Sequence, residues 1–231
     1  MGVREQQKAT NRQSIAQAAL ETFIEIGYEA CTIRDIVRYS GLSPGTFYNY
    51  FESKEDVLDF ILQDLAIRVR QTVRRERARA TSGRDFIYQG FFAFLEEVGR
   101  EPAILRMLSR NQTVFRNLVF GNAGALPPTA DSVVALGGID SSEQKDTRAA
   151  TTVQGIFEDL GEDLNRAVEA GHLPTMPATL VSMAMVGAGF EVLVRMSLDS
   201  SLTADGAARF LTDLFLGGLP GLDGRGYHSQ E

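Results

Sequence analysis

Apolar side chains along this 231-residue chain recur every three or four positions rather than every second one, a spacing that predicts helices and no strands. Ile15, Ala16, Ala19, Leu20 and Phe23 mark a first helix over residues 13–26, stopped at Gly27, with Tyr28 packed between helices beyond it. In this reading Arg4, Lys8 and Arg12 precede that helix as a flexible basic arm, either a solvated tail or a reach toward neighbouring phosphates or a minor groove. Ile33, Ile36 and Val37 mark a second helix, and Phe47 with Phe51 a third over residues 44–51. Val57, Leu58, Ile61, Leu62, Leu65 and Val69 then carry one long stripe from Lys54 to about Arg79. Further helices are expected over 84–100, 102–109, 113–120, 142–170, 177–198 and 203–217. Between 121 and 140, Gly, Pro and small residues break any long period, which predicts a mobile, partly helical connection. The tail from Leu219 onward has no period at all.

The stretch TIRDIVRYSGLSPGTFYNYFESK, residues 32–54, carries the punctuation of two short helices and a tight turn. Thr32 is placed as an N-cap, with Asp35 able to return a hydrogen bond and to favour the positive end of the helix. Gly41 supplies a residue free to take positive φ at the helix end, and Leu42 turns back into the core. Ser43 caps the next helix, and Pro44 occupies its first position, where a missing N–H costs nothing. With Phe47 and Phe51 inward, Gly45, Thr46, Tyr48, Asn49 and Tyr50 are left outward. Helix, Gly turn and helix is the helix-turn-helix pattern, whose second helix enters the DNA major groove. A helical hairpin in any all-α protein would show the same pair, with Tyr48 and Tyr50 merely half-buried. Ser53 caps the long helix, and Lys54 at its start joins an ammonium to free backbone N–H groups, a ready phosphate contact.

Residues 12–62 resemble the N-terminal domain of TetR-type transcriptional regulators, on the segments AALETFIEIGYEACTI, RDIVRYSGLSPGTFYNYF and SKEDVL in unbroken order. Tyr50 stands where the family often has His, and Asn49 at a variable position, differences that bear on which bases are read. The resemblance implies an all-α fold. A three-helix DNA-binding domain (1–54) would be followed by a larger helical effector-binding and dimerisation domain (55–231). It also implies that Lys54 holds the DNA backbone, that an apolar ligand cavity lies among the middle helices, and that the last two helices pair with those of a second subunit as a four-helix bundle.

The residues support the last point independently. Met183, Val186, Gly187, Phe190, Val192, Leu193 and Met196 make the helix over 177–198 apolar nearly all round, so it must be covered on every side. A second copy would cover it, as would burial at the centre of a monomer. A twofold dimer also suits two half-sites on a duplex.

Composition changes the picture little: 44% hydrophobic, 23% charged and no Trp. The net charge of −7 argues for modest nonspecific affinity for nucleic acid, although residues 68–84 are rich in Arg. No apolar run of membrane-spanning length stands out, the opening MGVREQQKATNRQ lacks a signal-peptide core, and the single Cys31 excludes a disulfide framework, which together lead to an expected cytoplasmic location. Cys31 reads as a buried structural thiol. His172 and His228 stand alone, with no HExxH, no phosphate-cradling loop and no Cys/His dyad, so neither catalysis nor a cofactor is expected. Glu158, Asp159, Glu162 and Asp163 could hold a metal on one helix, but beside Arg148 and Arg166 they read as a solvated acidic face. Arg106, Arg110, Asn111, Gln112, Arg116 and Asn117 cluster between apolar turns, and any one pointing inward needs a partner.

The reading is a ligand-responsive, homodimeric DNA-binding regulator, most readily a repressor on a palindromic operator. The alternative is a helical small-molecule-binding protein that does not act on DNA. DNA contacts are assigned to Thr32, Arg34, Ser43, Pro44, Gly45, Thr46, Tyr48, Asn49, Tyr50 and Lys54. Among these, Asn49 can pair with adenine and Thr46 can meet a thymine methyl. An effector, apolar or amphipathic, would meet Phe91, Phe94, Met107, Arg110, Phe115 and Phe157. The dimer interface would use Met183, Gly187, Phe190, Val194, Phe210 and Leu214.

Overall fold

The structure, a computed structural model, describes residues 3–120 and 148–217, with side chains described for 4–117 and 158–217. Among the described residues there are ten α-helices and no strand: α1 (Val3–Glu25), α2 (Ile33–Ser40), α3 (Pro44–Tyr48), α4 (Lys54–Ala78), α5 (Gly83–Gly99), α6 (Pro102–Arg110), α7 (Gln112–Phe120), α8 (Arg148–Glu169), α9 (Ala178–Leu198) and α10 (Ala204–Gly217). The connection expected over 121–140, the start of the helix expected over 142–170, and the tail from Leu219 lie outside the described residues.

Two helices depart from the pattern. α1 begins at Val3, not near residue 13, so the expected flexible arm is helical. Its first turns, VREQQKA, are strong helix formers with Glu5 placed against the positive end, and propensity continues the helix where no apolar stripe is visible. α3 stops at Tyr48, three residues early. Asn49 N–H donates to the Thr46 carbonyl at 3.2 Å and Tyr50 N–H to the Phe47 carbonyl at 2.9 Å, a tightening typical of a last turn.

The described residues of 1–64 and 106–154 form one compact unit, and those of 65–105 and 155–231 another. In the first, α1 packs on α2 and α2 on α3. Ile15, Ala19, Phe23, Ile36, Phe47, Val57 and Met107 are completely buried there, each large side chain contributing roughly 1.5–3 kcal/mol of burial. The polar cluster 106–117 sends one side chain inward, and it is Asn111 rather than an arginine. Its Oδ1 accepts the Tyr28 backbone N–H at 2.6 Å, and its Nδ2 donates to the carbonyls of Phe23 at 3.0 Å and Met107 at 2.8 Å. The amide thereby joins the end of α1 to the α6–α7 junction. Arg106, Arg110 and Arg116 are exposed.

In the second unit α10 packs on α5, and α9 packs against both. Gly189 of α9 leaves room for aromatic rings, since a Cβ there would stand 3.4 Å from Phe91 and 3.5 Å from Phe94. Phe91 stacks on Phe215 with ring centroids 5.7 Å apart. The Arg-rich stretch is spent on this unit's own carboxylates. Arg68 pairs with Glu97 and Glu101, Arg70 with Asp159, and Arg84 with the buried Asp213.

Arg77 is the most deeply placed of these arginines. It stands 3.6 Å from Asp163 and over the Phe86 ring, with its Nε so close to Gly90 that a Cβ there would approach to 2.5 Å. Burial pulls its pKa down and Asp163 opposes that, as for any ion pair taken out of water. The acidic segment of α8 is therefore not the solvated face expected of it. Glu158 and Glu162 are exposed, whereas Asp163 is 5% exposed and bound to Arg77 and Arg166.

By length and composition alone α9 is apolar enough to cross a membrane, contrary to the expectation that no segment is. Only a third of it is buried. Its outward side carries Glu191 and Arg195 beside Leu180 and Leu198, which are 62% and 69% exposed.

The Asn111 amide generates a stability prediction. Asn111→Ala strands the buried Tyr28 N–H and takes its side-chain donor from the Phe23 carbonyl, and urea unfolding is expected to show a loss of about 3 kcal/mol. Asn117→Ala on the exposed side of α7 should cost less than about 0.5 kcal/mol. Equal, small losses from both variants would contradict the assigned role.

Candidate nucleic-acid interface

Local hydrogen bonds fix the helix-turn-helix. The Thr32 Oγ1 accepts the Asp35 backbone N–H at 3.4 Å, and the Asp35 carboxylate accepts the Thr32 backbone N–H at 3.0 Å, a complete capping box. The Thr32 hydroxyl also donates to that carboxylate, and these bonds hold the Asp35 pKa below the usual range. Gly41 closes α2 with φ of 67°, a left-handed conformation that glycine takes without strain. Ser43 Oγ accepts the Thr46 N–H at 3.1 Å, and the two hydroxyls lie 2.8 Å apart. Beneath α3, Phe47 is completely buried and meets Phe51 at 6.1 Å between ring centroids, which fixes which side of the helix is free.

Of the residues assigned to DNA, Thr32, Arg34, Ser43, Pro44, Gly45, Tyr48 and Asn49 are exposed, while Thr46, Tyr50 and Lys54 are half-buried. Tyr48 is 59% exposed. Asn49 sits at the C-cap of α3 with its side chain in solvent. The Tyr50 hydroxyl accepts a hydrogen bond from Asn11 Nδ2 at 3.2 Å, and Arg12 lies over the rings of Phe60 and Phe51 at 4.2 and 5.3 Å. Sequence reading missed Asn11 and placed Arg12 in a flexible arm because it began α1 after both of them.

Lys54, the expected phosphate contact, is also bound within the fold. Its ammonium donates to the carbonyls of Tyr28 at 2.9 Å and Cys31 at 3.2 Å and lies 4.4 Å from the centre of the Tyr28 ring. One of its three N–H bonds is left for an outside partner. The Tyr28 hydroxyl donates to Glu55 at 2.8 Å, and burial together with that carboxylate raises the Tyr28 pKa. Cys31 is buried, and desolvation pushes its thiol up to about 11.

The remaining candidates are distributed as follows. Phe91 is buried and Phe94 half-buried in the second unit; Met107 and Phe115 are buried and Arg110 exposed in the first; the Phe157 side chain is outside the described ones. Phe190 and Val194 are buried within their own unit, and Met183, Gly187, Phe210 and Leu214 are half-buried. The outward positions of α9 are Thr179, Leu180, Ala184, Glu191, Arg195 and Leu198. Among the described residues no group of His, Cys, Asp and Glu could hold a metal ion.

A short capped helix set on a buried aromatic, with small, hydroxyl and amide groups outward, defines a helix-turn-helix DNA-binding domain. Residues 15–60 match the model of the bacterial regulatory proteins of the tetR family, so the N-terminal domain is that of the TetR-type transcriptional regulators. About nine-tenths of the chain shares its fold with solved regulators. It is similar to the fatty acid degradation regulator FadR from Bacillus halodurans at 20% identity and a TM-score of 0.64, over 90% of this chain and 96% of that one. It is similar to the TetR-family regulator PfmR from Thermus thermophilus at 21% identity and a TM-score of 0.62, over 89% and 98%. The regulator FadR from Bacillus subtilis, solved in complex with stearoyl-CoA, matches at 13% identity and a TM-score of 0.58, over 90% and 98%.

The environment of Cys31 predicts its reactivity. With the thiol at about 11, its thiolate fraction at pH 8 is about a hundredfold below that of an ordinary cysteine. Iodoacetamide labelling followed by mass spectrometry should therefore be at least that much slower in the native protein than in urea. Equal rates would mean that the α1–α2 turn is open.

Proposed function

We propose that this chain is a homodimeric, ligand-responsive transcriptional regulator, a repressor that binds a palindromic operator and leaves it when an amphipathic effector binds. The observation that carries the reading is the outward side of α3, where Tyr48 and Asn49 stand exposed above the buried Phe47. Asn49 offers an amide whose donor and acceptor match the major-groove edge of adenine, and Thr46 a methyl for thymine. Thr32, Arg34, Tyr48, Tyr50 and the remaining N–H of Lys54 position the head on phosphates. The outward leucines of α9 support a second copy as the cover for that helix, and a twofold pair would present two heads to successive turns.

The effector part rests on a different footing. The Bacillus subtilis FadR was solved with stearoyl-CoA, a long apolar chain on a polar carrier, and a molecule of that kind suits the aromatic second unit. α4 runs through both units, so an effector that favours one setting of α4 would change the spacing of the two heads. Such a regulator acts in the cytoplasm, where its DNA is.

Selection of bound duplexes from random DNA tests the reading. A palindrome with half-sites about 34–36 Å apart, or a multiple of that, is expected. Asn49→Ala should relax preference at one base pair per half-site by about 1–3 kcal/mol. Stearoyl-CoA added to the complex should release the DNA. No enriched sequence at any salt concentration would leave the helical small-molecule-binding protein as the better account.

A further inference from the structure

The inner face of α1 changes character toward its N-terminal end. Ile15 and Ala19 on that face are completely buried. One turn nearer the N-terminus, Asn11 reaches Tyr50 and Arg12 lies over Phe51 and Phe60. At 3.6 residues per turn, Lys8 and Arg4 continue the same stripe beyond them. Both are exposed, and neither has a hydrogen-bond or ion-pair partner among the described residues. The stripe is thus apolar where protein covers it and cationic where it runs free. Arg4, Lys8 and Arg12 stand there against the single carboxylate Glu5, in a chain whose net charge is −7.

The geometry selects the partner. Arg4 lies only about 10 Å along the helix axis from Asn11, which touches a residue of the candidate DNA surface. An anionic surface docked on α3 therefore passes within reach of both cations. A helix about 10–12 Å across cannot enter a minor groove about 6 Å wide, so it rests on the backbone and carries no base readout. Because the two side chains are presented from a wound helix, binding them orders less chain than capturing a flexible arm would.

We infer that the first two turns of α1 are a second DNA-contacting ridge, in which Arg4 and Lys8 take backbone phosphates flanking the segment faced by α3. The inference rests on the DNA-binding reading above and adds a separate surface to it.

The test compares the full-length protein with an Arg4→Ala/Lys8→Ala variant and a charge-keeping Arg4→Lys/Lys8→Arg variant. Ala is the strongest helix former, so the first substitution keeps α1 wound. Fluorescence anisotropy would follow binding to the selected duplex and to a scrambled one across a KCl series. For the alanine variant, affinity should fall by the same factor on both duplexes. The slope of log affinity against log salt should flatten by about 1 for each phosphate contact removed. The charge-keeping variant should retain the wild-type slope, and the selected sequence should not change. A wild-type slope in the alanine variant, or an altered consensus, overturns the ridge while leaving the α3 reading intact. Failure of the wild type itself to bind any duplex overturns both, and is a distinct result.

Discussion

Tyr28 is the residue on which the N-terminal architecture turns, because every polar group it owns is bound, on one side to Asn111 and on the other to the start of α4. Its N–H goes to Asn111, its carbonyl and ring to Lys54, and its hydroxyl to Glu55, while its ring also meets Phe23 at 5.1 Å. Gly27, with φ of 88°, provides the left-handed step that lets the chain leave α1 and present those groups. Buried backbone groups must be satisfied, so the turn cannot move without giving up several bonds together. Since α2 starts at Ile33 and α4 at Lys54, the same set of bonds decides where the helix-turn-helix sits relative to the helix that follows it.

The two units use charge in opposite ways. In the second, arginines of α4 and α5 are folded inward onto Glu97, Asp159, Asp163 and Asp213, a use of guanidinium that builds a core and leaves little positive field outside. In the first, Arg34, Arg4 and Lys8 are exposed and unpaired among the described residues. A negative net charge is therefore compatible with exposed cations on the head, where residues 1–54 carry six Lys and Arg against six Asp and Glu, because the sum includes cations already committed to internal carboxylates.

How much of this could be read from the sequence follows from range. The caps at Thr32 and Ser43, the turn at Gly41 and the break at Gly27 depend on residues within four positions, and each is found where local rules put it. The heptad-like stripes likewise located α4 to α6 and α9 to within a residue or two at each end. The distant partners of Asn111, Arg77 and Lys54 lie 23 to 88 residues away, and no periodicity announces them. Lys54 was legible as a cation at a helix start but not as a clamp on the carbonyls before α2. The first turns of α1 escaped because helix propensity without an apolar face gives no stripe to follow. α8 misled for a related reason: adjacent carboxylates look solvent-bound until a helix distant in sequence supplies the arginines.

What unites these features is a short helix held from behind, so that its outer side can be stiff, polar and uncovered at once. Dimethyl sulfate footprinting of the protein bound to duplex DNA tests that claim most directly, because guanine N7 lies in the major groove and adenine N3 in the minor. The account predicts protection of guanine N7 in two major-groove patches on one face of the duplex, one for each head. Unchanged N7 reactivity under saturating protein, or protection confined to adenine N3, would contradict it.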